Sequence, residues 1–99
     1  MKVKVQSIHF DADQKLIAFI EDKVDKLTQF YESIIDSEVY LRLDRSDAGD
    51  NKIAEIKITT PGKTLFAKEQ CKTFEEATDS AVEALRRQIT KHKEKQRGA

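Results

Sequence analysis

Tryptophan is absent from this chain, and cysteine, proline and methionine occur once each. The lone Cys71 cannot close an internal disulfide, so the fold has to be held by packing, and such usage fits a reducing compartment. Three glycines are too few for a glycine-rich phosphate cradle. No apolar run approaches the ~18 residues of a membrane-spanning helix. The first ten residues, MKVKVQSIHF, alternate instead of forming the apolar core of an export signal. The expected setting is therefore cytoplasmic, with no membrane partner. Histidine is scarce as well. His9 and His92 stand far from each other and from Cys71, with no spacing that would hold zinc. No nucleophile has a base at a recognisable spacing. The sequence reads as a non-enzyme with no catalytic residues, metal, cofactor or small-molecule substrate.

Charge is what the chain has in quantity. Charged residues make up 36% of the 99 and hydrophobic ones 38%. That balance supports one modest core beneath a heavily charged surface, hence a single domain over residues 1–99. The formal net charge is zero, but the signs are separated. From Arg86 to Ala99 there are six Lys or Arg against one acid, and before Arg86 there are twelve against seventeen.

The organising stretch runs from Thr73 to Arg97. Phe74, Ala77, Ala81, Val82, Leu85 and Ile89 recur at spacings of three and four and line one side of an α-helix. Thr73 followed by Glu76 makes a capping box at its start. At ~1.5 Å per residue the helix would span roughly 35 Å. An earlier helix, capped by Asp11 or Asp13, runs to about Tyr31. Leu16, Ile17, Ile20, Val24, Leu27 and Tyr31 form its core-facing stripe. Lys15, Lys23 and Lys26 lie along one flank with Phe19 and Phe30, which are expected to widen the core, although aromatics beside lysines can also stack on bases.

Strand patterns fill the rest. Lys2 to Ile8 alternates with one slip near Ser7, and Glu38 to Asp44 places Val39, Leu41 and Leu43 on one face. Lys52 to Thr59 does the same with Ala54, Ile56 and Ile58. Pro61-Gly62 is a turn, since proline presets the first central position and glycine accepts positive φ at the second. Thr64 to Gln70 is the last strand. The segment Asp44 to Glu55, DRSDAGDNKIAE, looks faintly like a calcium loop, but Ala48 cannot ligate and strands flank it. A hairpin turn is expected there. The order β-α-β-β-β-α predicts an α+β two-layer sandwich, with both helices on one face of a largely antiparallel four-stranded sheet. Pattern alone does not decide where the first strand pairs.

The basic helical end, residues 86–97, has two readings. Acids early in a helix and bases late complement the helix dipole, and Glu83 with Arg87 would form an i,i+4 pair. Yet the bases continue past the core-facing stripe. Lys91, Lys93, Lys95 and Arg97 would repel one another without an external anion, so a polyanion contact is the alternative to a solvated end.

The run Leu85-Arg86-Arg87-Gln88-Ile89-Thr90-Lys91-His92-Lys93-Glu94-Lys95 closely resembles the end of the second helix in the short ribosome hibernation-promoting factors. Lys23-Val24-Asp25-Lys26-Leu27, Val39-Tyr40-Leu41-Arg42-Leu43 and Phe74-Glu75-Glu76-Ala77-Thr78-Asp79 look similar to that family too. The resemblance covers nearly the whole chain. It implies the same β-α-β-β-β-α fold and a translation inhibitor that binds the small ribosomal subunit and its ribosomal RNA. Such a protein blocks the channel for messenger and transfer RNA in idle ribosomes, as under stress or in stationary phase. Arg87, Lys91, Lys93 and Lys95 fall on the family's basic helix end, and Lys23 and Lys26 on its basic first helix. Arg86 and Arg97 join them on charge alone. Two segments depart from the pattern: Glu69-Gln70-Cys71-Lys72 replaces a glycine-containing approach to the second helix, and Ile8-His9-Phe10 replaces a more polar pair. The chain stops at Ala99, without the dimerising domain of the long family members, so a monomer is expected.

Two rival readings use the same residues. Helices on one face of a short antiparallel sheet also suit a general double-stranded RNA-binding module. A protein-interaction domain could instead offer its basic end to an acidic partner. All three readings share one expectation: the positive end has no mate inside the molecule.

Overall fold

In the computed structural model, residues 3–8, 10–44, 49 and 51–98 are described, with side chains to residue 93. The element order is β1 (Val3–Ser7), α1 (Gln14–Phe30), β2 (Asp36–Leu43), β3 (Lys52–Thr60), β4 (Lys63–Cys71) and α2 (Phe74–Gly98). This is the expected β-α-β-β-β-α order. Most of the tip of the β2–β3 hairpin, read above as a turn, lies outside the described residues, as does His9.

The sheet order is β1-β2-β3-β4. The β2–β3 and β3–β4 pairs are antiparallel, and β1 joins β2 in parallel. The sheet is thus mixed, and the place left open for the first strand is the β2 edge. Parallel neighbours need a crossover connection, and α1 supplies it. The β3–β4 turn is tight: Thr60 pairs with Lys63 across Pro61-Gly62, and Gly62 takes φ 76°. Adding a side chain at that φ would meet strain even though the space around it is open.

Alternation decides which side of the sheet is covered. Val39 and Leu41 of β2, Ala54, Ile56 and Ile58 of β3, and Leu65 and Ala67 of β4 point to the helices and are buried. Ile20, Val24 and Leu27 of α1 meet them in one core with Phe74, Ala77, Ala81, Val82, Leu85 and Ile89 of α2. All six residues of the expected α2 stripe are therefore inside. The other sheet face carries Glu38, Tyr40, Lys57, Phe66 and Lys68 in cross-strand neighbourhoods and stays open to solvent.

Both helix starts use the residues that the sequence offers. Asp13, one of the two candidates, caps α1 by accepting the Leu16 amide through Oδ1 at 2.8 Å. Thr73 Oγ1 accepts the Glu76 amide at 3.0 Å at the start of α2. Each such cap contributes about 1 kcal/mol. Phe10 stacks on Phe74 with ring centroids 5.1 Å apart, which ties the approach to α1 onto the first turn of α2.

Candidate nucleic-acid interface

The two helices lie side by side and run in the same direction. Lys23 of α1 meets Asp79 near the start of α2, while Phe30 at the end of α1 meets Arg86 and Lys93 further along α2. A parallel pair sets Lys23 and Lys26 of α1 along the same groove as Arg86 of α2. It also sets the carbonyl end of α1, where the helix dipole is negative, beside the bases of α2.

Between the helices is a groove of about 450 Å³, lined by Lys23, Lys26, Phe30 and Arg86, with Leu27 and Val82 as apolar lining and Asp79 and Glu83 on its α2 side. A second depression of about 500 Å³ adjoins it, lined by Phe30, Arg86, Arg87, Thr90 and Lys91. Phe30 and Arg86 belong to both.

The eight cations singled out from the sequence divide into three groups. Lys23, Lys26 and Arg86 have carboxylate partners: Asp79 at 3.3 Å, Asp22 at 3.3 Å and Glu83 at 3.7 Å. The expectation of an unmated positive end is corrected for Arg86. Its mate is Glu83, which was expected to pair with Arg87. Arg86 and Arg87 are adjacent on the helix and both within reach of Glu83, and Arg86 takes the groove side. The Lys26 and Arg86 pairs are solvent-exposed and that of Lys23 is partly so; surface pairs contribute only ~0–1 kcal/mol, so an incoming anion can compete for the cation. Arg87, Lys91 and Lys93 form the second group. Among the described residues they have no carboxylate within ion-pair distance. The side chains of Lys95 and Arg97, the third group, lie outside the described residues, on the last turns of α2.

Aromatic residues complete the site. The Phe30 ring lies 5.1 Å from the Arg86 guanidinium carbon and 4.9 Å from the Lys93 ammonium, each measured to the ring centroid. Phe30 is 37% exposed, so it does not widen the core as expected; Phe19, by contrast, packs partly buried against it. Tyr31 is buried and meets His92 edge-on at 6.1 Å. What sequence reading missed is Asp79 as the mate of Lys23 and the placing of Phe30 under two cations. Both depend on how the helices are laid side by side, and only the lysine-flanked position of Phe30 hinted at the second.

Among the described residues no group of His, Cys, Asp and Glu is placed to hold a metal ion. No described helix is long and apolar enough to cross a membrane. What the arrangement offers is a groove and an adjoining depression lined by cations and one exposed ring.

Comparisons with known proteins bear on the family and the fold. A family model described as sigma 54 modulation protein / S30EA ribosomal protein matches residues 3–97. The ribosome hibernation promoting factor of Pseudomonas putida is 24% identical over 96 residues, covering 97% of this chain and 90% of that protein. Two solved structures share the fold. A ribosomal subunit interface protein from Coxiella burnetii superposes with a TM-score of 0.84 at 18% identity, covering 94% of this chain and 98% of that one. The N-terminal domain of Thermus thermophilus Protein Y superposes with a TM-score of 0.77 at 24% identity, covering 93% and 99%.

Proposed function

The chain belongs to the sigma 54 modulation protein / S30EA ribosomal protein family, a non-catalytic family of ribosome-associated hibernation and modulation proteins, and from that premise we propose that it inhibits translation by occupying the small ribosomal subunit. In this reading Lys23, Lys26, Arg86, Arg87, Lys91, Lys93, Lys95 and Arg97 meet ribosomal RNA phosphates. The body of the single domain fills space that messenger and transfer RNA need, and the chain acts as a cytoplasmic monomer under stress or in stationary phase. Phosphate contacts position a protein without reading sequence, so the shape of the site on the ribosome selects it.

The observation that supports this reading is the run of cations along the groove between two parallel helices and on to the end of α2. Arg87, Lys91 and Lys93 have no carboxylate partner among the described residues, and the half-buried Lys23 and the exposed Lys26 and Arg86 line the groove before them. Charge of one sign packed on one end costs free energy in isolation and is recovered against a polyanion.

Sedimentation of ribosomes from starved cells tests it. The protein is expected to travel with small subunits and with the particles that contain them, and added protein should reduce synthesis in a purified translation system. A protein that stays at the top of the gradient and leaves synthesis unaffected would refute the proposal.

A further inference from the structure

A large aromatic ring exposed on a charged surface needs an explanation. Phe30 closes the last turn of α1, is 37% exposed, and lines both the groove between the helices and the adjoining depression on α2. The two hollows, of about 450 and 500 Å³, fall within the roughly 300–1,000 Å³ of clefts that take small organic groups. Arg86 and Lys93 lie over the ring, 5.1 and 4.9 Å from its centroid, where an incoming base would take their place, and Arg87 and Lys91 line the depression beside it. Among the described residues Arg86 holds Glu83 in an exposed pair at 3.7 Å, and Lys93 lies over the rings of Phe30 and Tyr31. An apolar ring among cations offers a nucleotide both things it needs, a surface for the base and charge for its phosphates.

We propose that Phe30, with the Arg86 guanidinium beside it, is a stacking platform for an unpaired nucleobase of RNA whose flanking phosphates are held by Arg87, Lys91 and Lys93. This deepens the ribosomal RNA reading above and rests on it. The ligand class is narrower than a phosphate backbone. Bases inside a duplex present only their edges, whereas bases in loops, bulges and single strands can be splayed onto aromatic or guanidinium planes. The partner is therefore an irregular or single-stranded RNA element, and a plain duplex lacks the group that the platform takes. Stacking accepts any base, because every base has a π-face. The platform adds affinity and orientation without imposing a sequence.

Because the chain contains no tryptophan, Phe30→Trp installs a single reporter at the platform. Its fluorescence is expected to be quenched by small ribosomal subunits and by a short single-stranded oligonucleotide, and much less by a duplex of equal length. Phe30→Leu keeps an apolar side chain but removes the π-face. It should weaken binding to small subunits by about 5- to 150-fold, the range that a lost base–aromatic stack implies. Phe30→Tyr should restore binding, which separates stacking from a merely structural role. Arg87→Glu serves as the companion. If Arg87→Glu weakens binding while Phe30→Leu and the tryptophan signal do not respond, the platform is overturned and the ribosomal reading stands. If neither variant affects binding, both fail. Stronger quenching by duplex than by single strand would also overturn the platform.

Discussion

Lys23 and Asp79 face each other at 3.3 Å across the groove between α1 and α2, with side chains 34% and 53% exposed. On the proposed reading the pair puts a carboxylate of the protein where a ribosomal RNA phosphate would go, and binding would displace Asp79 from Lys23. Asp79→Asn should tighten binding to small ribosomal subunits a few-fold, within the ~0–1 kcal/mol that an exposed pair is worth. It should change the melting temperature little. Co-sedimentation of the variant beside the parent measures the first, and thermal melting the second. Weaker binding by Asp79→Asn would mean that the pair orders the interface instead of competing for it.

Thr78 is fully buried in α2, and its Oγ1 has no hydrogen-bond partner among the described residues. A buried hydroxyl left unsatisfied costs ~1–3 kcal/mol. Thr78→Val replaces it with a methyl group of similar size and should stabilise the fold by about 1 kcal/mol, or roughly 4–8 °C in melting temperature for a domain of this size. Thermal and urea unfolding check this. An unchanged or lowered midpoint would mean that the hydroxyl is satisfied in solution.

On the open face of the sheet the Tyr40 hydroxyl donates to Glu38 Oε2. That hydrogen bond, together with desolvation and the negative charges of Glu38, Asp36 and Glu55, raises the tyrosine above its ordinary value of 10.0. Proton binding is then tighter in the folded chain than in the unfolded one. The associated stability is fully present below the ordinary tyrosine range and is lost as pH rises through the folded value. Absorbance titration in a Tyr31→Phe background should place the Tyr40 transition above 10. Glu38→Gln should move it downward, and a transition that Glu38→Gln leaves in place would contradict the assignment.

Local signals in the sequence were read well because their physics is local. The capping residues Asp13 and Thr73 act within one turn, Pro61-Gly62 closes a two-residue hairpin, and the stripe from Phe74 to Ile89 is a matter of helical period. The covered sheet face followed from alternation in β2, β3 and β4. Pairing of β1 with β2 was not legible, because Val3 and Val5 alternate alike whichever edge they join, and the crossover through α1 decides it. The site shows the same division. Its cations are visible in the sequence as charge, but their mates are not. Asp79 meets Lys23, and Phe30 meets Arg86 and Lys93, only because the helices lie parallel and in this register. Periodicity placed Phe30 beside the core stripe and could not show that α2 would leave its ring open to solvent.

The most direct test of the account is the salt dependence of binding to purified small ribosomal subunits, for the parent chain and for Arg87→Glu with Lys91→Glu. The six cations of the α2 end alone, each meeting a phosphate, would give a slope of log affinity against log salt of roughly −4 to −5. The double variant should bind more weakly at low salt, with a slope shallower by about 1 or more for each cation removed. Affinity indifferent to salt, or a double variant that binds as the parent does, would contradict the claim that these helices carry the protein onto RNA.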